Sequence, residues 1–172
     1  MKHKFMSFTI AAAALIFIAL PVVAAENEGV TVELTNRKAV AVSSGKEKFE
    51  SAEKAKPGDV IEYKAVYRNK GKNPAANVMA TIPVPLGTEY IPGSAKPSKV
   101  MASSDGKEYA PVPLKKKVTL PSGQTEMRAV PYEEYRFMRW ELKKLSPAES
   151  ATVSMRVKIS TAPLQTNAPL NK

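Results

Sequence analysis

Few side chains in this sequence are equipped for acid–base or nucleophilic chemistry. The only histidine is His3, and cysteine is absent. Any domain that begins after the first residues therefore has no imidazole base, no thiol nucleophile and none of the usual zinc ligand sets. Serine with lysine remains. Ser-x-x-Lys occurs at Ser43/Lys46, Ser51/Lys54 and Ser104/Lys107, the spacing that sets an amine beside a hydroxyl on one helical turn. None of these opens a long apolar helix and no Lys-Thr-Gly accompanies them, so in a lysine-rich chain they read as chance. Glu133-Glu134 is the one adjacent acidic pair, but neighbours along a strand face opposite sides and cannot flank one glycosidic bond. Asp59 and Asp105, the only aspartates, stand far apart without the run of oxygen ligands that calcium needs. No catalytic residue, cofactor or metal site is expected.

Binding is the chemistry left. Lys115-Lys116-Lys117 is the tightest cationic run and the candidate anion-binding patch, although it lacks the interleaved aromatics of a single-strand nucleic-acid binder. Tyr132 and Tyr135 are candidates for exposed contacts from a loop. Trp140 could stack on a sugar, but its spacing of two from Leu142 reads as a core residue of a late strand.

The first residues set the compartment. Lys2 and Lys4 supply a positive start, Ile10 to Leu20 an apolar core, and Val22-Val23-Ala24-Ala25 a small-residue exit, the pattern of a signal peptide cleaved near Ala25. The apolar run is about half of the roughly 20 residues that span a bilayer, and Pro21 ends it, so no transmembrane anchor is expected after cleavage. Residues 1–25 removed from 172 leave 147, enough for one domain with a core. The formal charge of +10 falls by Lys2 and Lys4 to +8. A basic surface favours anionic partners such as lipopolysaccharide, acidic glycans or extracellular DNA.

The elements that must position these residues are strands. Val30 to Val42 alternates, with a bend or bulge expected at Asn36-Arg37-Lys38; Gly45 to Lys56 reads as a helical turn or loop. After the turn residues Pro57-Gly58-Asp59, Ile61, Tyr63, Ala65 and Tyr67 share one face of a half-buried antiparallel strand. Val78, Ala80 and Ile82 alternate until Pro83 and Pro85 end the pairing at a sheet edge or a crossing. Thr88 to Ile91, with Tyr90, is a short strand. From Val100 to Leu120, short strands and long loops are expected around the hairpin signal Ser103-Ser104-Asp105-Gly106. Val153, Met155, Val157 and Ile159 make a last strand, and residues 161–172 a disordered tail. About seven to nine short strands with no long helix predict an all-β, immunoglobulin-like sandwich over residues 26–160. Its core draws on Tyr63, Tyr67, Val78, Ile82, Tyr90, Trp140, Leu142, Val153, Met155 and Val157.

These residues also carry a resemblance. Pro57-Gly58-Asp59, Tyr63, Asn69 with Gly71, Pro74-Ala75, Asn77-Val78, Ile82-Pro83, Pro85 with Gly87, Tyr90 and Pro92-Gly93-Ser94 follow one another in a familiar order. Arg139-Trp140, then Leu145-Ser146-Pro147-Ala148-Glu149-Ser150-Ala151 and the strand from Val153 close it. The stretch of about residues 57–159 resembles a single copy of the conserved repeat domain of bacterial surface and secreted proteins, the domain-of-unknown-function 11 family. Ala148 stands where that family usually has glycine, which predicts a different turn because alanine resists positive φ. The resemblance implies a non-enzymatic structural or protein-binding module of the cell envelope, periplasmic or at the cell surface. Partners would be an envelope protein, joined by strand addition, or an anionic polymer.

Overall fold

The computed structural model describes residues 29–41 and 46–161. The segment read as a signal peptide, the Ser43 of one Ser-x-x-Lys, and the tail beyond Thr161 lie outside the described residues. In chain order the strands are β1 Val30–Ala41, β2 Glu47–Glu50, β3 Val60–Asn69, β4 Ala75–Ala76, β5 Met79–Pro83, β6 Thr88–Tyr90 and β7 Met101–Ser103. They continue with β8 Ala110–Pro111, β9 Lys115–Thr119, β10 Thr125–Ala129, β11 Phe137–Glu141, β12 Lys144–Leu145 and β13 Ser150–Ile159. The only helical elements among the described residues are short 3-10 turns at Ala52–Lys54 and Tyr132–Glu134.

Pairing is antiparallel throughout and the protein is all-β. A five-stranded sheet has the order β2-β1-β3-β13-β6, and a four-stranded sheet β5-β11-β7-β8; β9 with β10, and β4 with β12, form two small ribbons. In β3 the alternation does what half-burial requires, with Ile61, Ala65 and Tyr67 buried. Val157, Met155, Val153 and Ala151 of β13 stand opposite Ile61, Tyr63, Ala65 and Tyr67. The second sheet answers with Ile82 opposite Met138 and Ala80 opposite Trp140. All of these buried side chains join one core, with Tyr63 and Leu142 packed half-buried at its margin. Trp140, only 2 % exposed, sits among them and donates its indole N–H to the Pro97 carbonyl at 2.8 Å.

Asn69 ties three connections together. Its buried side-chain amide donates to the carbonyls of Asn73 at 2.8 Å and Leu145 at 2.9 Å, while its Oδ1 accepts the Gly71 amide at 2.8 Å. Its backbone N–H donates to Glu149 and its carbonyl accepts from Ala148. The side-chain amide thus satisfies its donors and acceptor on the Gly71 to Asn73 loop and on Leu145, and the backbone adds the turn at Ala148-Glu149, which offsets the cost of its burial.

Several expectations are corrected. The described residues form thirteen strands rather than seven to nine, five of them only two or three residues long, and β1, β3 and β13 are long rather than short. Asn36-Arg37-Lys38 makes no bend. β1 keeps one continuous register with β3 from Val30 opposite Asn69 to Ala39 opposite Val60, since Val30, Val32, Leu34 and Val40 never leave phase and Lys38 pairs with Asp59 at 2.8 Å. Part of Gly45 to Lys56 is the strand β2, paired with Lys38 to Ala41. Ser103 to Gly106 does connect an antiparallel pair, β7 and β8; Gly106 has φ +77° and a Cβ there would lie 2.8 Å from the Phe137 ring.

The turn at Ala148 is the clearest correction. Ala148 has φ +63°, a left-handed conformation that favours glycine, because its N–H is held by the Asn69 carbonyl while Glu149 closes the turn onto Ser146. A left-handed alanine costs about 1–2 kcal/mol, against an entropic cost of about 0.5–1 kcal/mol for glycine. Ala148→Gly should therefore raise stability by about 0.5–1 kcal/mol in urea unfolding; a loss of stability would show that the turn is not strained.

Candidate binding edge

Every sheet of an open fold ends in strands with unused backbone groups, which must be blocked, shortened or put to use. Here most edges are closed. On β5, Pro83 offers no N–H, and the Tyr67 hydroxyl both accepts the Thr81 amide at 2.9 Å and donates to its carbonyl at 3.3 Å. On the other side of the same sheet β8 is two residues long and contains Pro111. β6 has three residues between Pro85 and Pro92. β2 has four, of which Glu47, Lys48 and Glu50 are charged, Glu47 being held by Arg156 at 2.6 Å.

β1 is the exception. β2 covers only Lys38 to Ala41, so among the described residues Val30 to Arg37 is paired with β3 alone, without a proline or glycine in it. The pattern of its free groups follows from one bond. Gly29 accepts the Lys70 amide at 2.7 Å, and hydrogen-bonded pairs alternate along an antiparallel ladder. Thr31, Glu33, Thr35 and Arg37 therefore bond to β3. Val30, Val32, Leu34 and Asn36 turn their N–H and C=O groups outward.

The side chains add a second feature. Val32 and Leu34 stand opposite Tyr67 and Ala65, which are 7 % and 1 % exposed, yet Val32 is 54 % and Leu34 48 % exposed. Residues directly opposite share a face, so β1 carries the core face of the sheet out beyond the cover of the second sheet. A cleft of about 340 Å³ lies along this edge, lined by Thr31, Val32, Glu33, Val66, Arg68 and Lys70. On the outer face Arg37 is bound at 2.8 Å to Glu62 and lies 3.6 Å above the Phe49 ring.

The expected binding residues are placed differently from the reading of the sequence. Lys115, Lys116 and Lys117 lie on β9, opposite Ala129, Arg128 and Met127 of β10. Strand alternation sends Lys116 to one face of this exposed ribbon and Lys115 and Lys117 to the other, so they do not form one patch. Lys116 is also ion-paired with Glu134 at 2.9 Å, and Arg128 with Glu126. Tyr135 is no exposed contact: it is fully buried, stacked at 5.8 Å on Tyr90, and its hydroxyl accepts the Leu114 amide at 2.7 Å. Burial pushes its hydroxyl above the ordinary tyrosine range. Tyr132 packs half-buried against both rings, 5.9 Å from Tyr90 and 5.3 Å from Tyr135. The loop tyrosines are a wall of the core because a chain that returns through a 3-10 turn folds them inward.

The remaining polar candidates have local structural partners. Ser51 accepts the Glu53 amide and caps a 3-10 turn. Asp59 is held by Lys38 and the Lys56 amide, and Asp105 by the amides of Lys107 and Glu108, and these partners keep both carboxyls below the ordinary aspartate range. Among the described residues no group of three or more His, Cys, Asp or Glu could hold a metal ion. Comparison of the chain with protein-family models, with curated proteins and with solved structures finds no significant match.

The reading of β1 predicts an alternating exchange pattern. In dilute solution the amides of Val32, Leu34 and Asn36 should exchange rapidly and those of Thr31, Glu33, Thr35 and Arg37 slowly, as followed by NMR; uniform protection would mean that the edge is already paired. Tyr67→Phe, which leaves the Thr81 amide and carbonyl without their partner, should cost about 1–2 kcal/mol in urea unfolding.

Proposed function

We propose that this protein is a non-enzymatic, exported β-sandwich module that works by binding in the bacterial cell envelope or outside the cell. The observation that carries the reading is the open edge Val30 to Arg37 in a fold whose other sheet edges are short, charged, proline-bearing or already hydrogen-bonded. An extended partner segment laid there would take up the outward groups of Val30, Val32, Leu34 and Asn36 and cover Val32 and Leu34, the mode of recognition called strand addition. Two sheets drawing on one core support an immunoglobulin-like sandwich, and the resemblance to the conserved repeat domain supports a scaffold role. The signal-like first 25 residues support export.

A second reading has its own observation. The ribbon of β9 and β10 is almost wholly exposed and carries Lys115, Lys116, Lys117 and Arg128 against Glu126, a basic arm suited to lipopolysaccharide, an acidic glycan or extracellular DNA. The two readings respond oppositely to salt. Attraction between exposed charges is screened over about 8 Å at physiological ionic strength, whereas backbone pairing is not. Envelope extract passed over the immobilised protein should yield a partner that survives high salt and is lost on Leu34→Lys. Retention that collapses with salt and ignores Leu34→Lys would transfer the function to the arm.

A further inference from the structure

The open edge of β1 is complementary to itself, and we propose that its occupant is a second copy of this chain, joined antiparallel about a two-fold axis through Leu34. The proposal rests on the strand-addition reading and names its partner. Only even-numbered residues of the edge turn their backbone groups outward, so only even residues can form hydrogen-bonded pairs across the axis. With Leu34 on the axis, Leu34 meets Leu34 of the other copy, Val32 meets Asn36 and Asn36 meets Val32, and every outward group from Val32 to Asn36 is satisfied.

The neighbouring registers are worse for stated reasons. Centring on Glu33 sets two carboxylates directly opposite each other, a destabilising arrangement. Centring on Thr35 drives Val32 against Lys38, whose outer side β2 already occupies. The Leu34 register opposes Glu33 to Thr35 and Thr31 to Arg37 on its outer face, and it brings only Val30, at the end of the ladder, to Lys38, where β2 takes over. The run from Thr31 to Arg37 then fills the length of edge that β2 leaves free. On the core side the exposed Val32 and Leu34 of each copy become one apolar strip with Leu34 packed on Leu34 at its centre. The axis is perpendicular to the sheet, so each edge closes the other and the assembly stops at two.

A seven-residue ladder lies at the small end of specific interfaces, below about 1,200 Å², the class of weak and transient associations. Both copies are strongly basic, so raising the salt screens their repulsion and should tighten the pair slightly. That sign is opposite to the one expected of polyanion binding.

The absence of cysteine makes the register directly measurable. In a hydrogen-bonded antiparallel pair the Cα atoms lie about 5.5 Å apart, within disulfide range. Purified Leu34→Cys should oxidise to a covalent dimer. Val32→Cys alone and Asn36→Cys alone should not, since each would sit roughly 14 Å from its own mate, but the two mixed should cross-link to each other. Sedimentation velocity from micromolar to millimolar concentration should show reversible dimerisation of the unmodified protein, weakened about ten-fold by Leu34→Lys, which places two lysines face to face. A protein that stays monomeric over this range overturns the second copy as occupant, and Val32→Cys that cross-links alone as readily as Leu34→Cys overturns the Leu34 register. Strand addition itself still stands if Leu34→Lys abolishes salt-resistant capture of an envelope partner, and fails with the dimer if that capture is also unaffected.

Discussion

The fold depends on the ladders that β3 makes with both of its neighbours. No cysteine is available to cross-link the chain, so the termini of the domain are held by backbone pairing: β1 along ten positions of β3 on one side and β13 along nine on the other. Because β1 and β13 are far apart in sequence, closing these ladders costs loop entropy that only long, in-register pairing can offset. The strict alternation of β3 fixes that register. A slip of one residue would turn Ile61, Ala65 and Tyr67 out of the core.

Given that spine, the edges follow. Buried side chains of β3, β13 and β6 share one core with those of the second sheet, whereas Val32 and Leu34 on the same face of β1 are about half exposed, so this part of β1 is built like a core strand and exposed like a surface strand. Elsewhere the sequence spends specific residues on closing edges. Tyr67 is the most economical of them, because its ring fills the core beneath β3 while its hydroxyl occupies the only backbone groups that β5 would otherwise offer near Thr81. Proline does the same for β8, and charge and brevity do it for β2.

What could be read in the sequence was what period two encodes. The alternation of Ile61 to Tyr67, Val78 to Ile82 and Val153 to Ile159 is visible without a structure, as is the inward pairing of Trp140. What could not be read depends on partners far along the chain. Whether Val32 and Leu34 are covered is decided by the width of the other sheet, which no local pattern states. The ribbon of β9 and β10 was hidden because Thr125 to Ala129 has no apolar alternation of its own; the turn residues Pro121-Ser122-Gly123 were the one available signal. Tyr135 misled because loops usually face water, whereas here Tyr90 supplies a stacking partner and Leu114 a donor. At Ala148 propensity argued against positive φ, and two backbone hydrogen bonds, from Ala148 N–H to the Asn69 carbonyl and from Glu149 N–H to the Ser146 carbonyl, outweighed it.

The side chains of β1 separate the demands of the monomer from those of a partner. On its core-side face the order is Val30, Val32, Leu34, Asn36, Lys38, Val40, and the register with β3 is unbroken through Asn36 and Lys38. Polar residues are therefore compatible with this pairing. Leaving Val32 and Leu34 about half exposed forfeits on the order of 1 kcal/mol each of what full burial would contribute, and polar side chains there would improve solubility. The apolar pair nevertheless lies opposite the free part of the edge, and the polar pair begins where β2 approaches. Core packing does not demand this distribution, since the second sheet does not reach it. Strand addition at this edge, as proposed, accounts for it, because a partner strand would cover Val32 and Leu34 and take up the outward backbone groups of the free run at once.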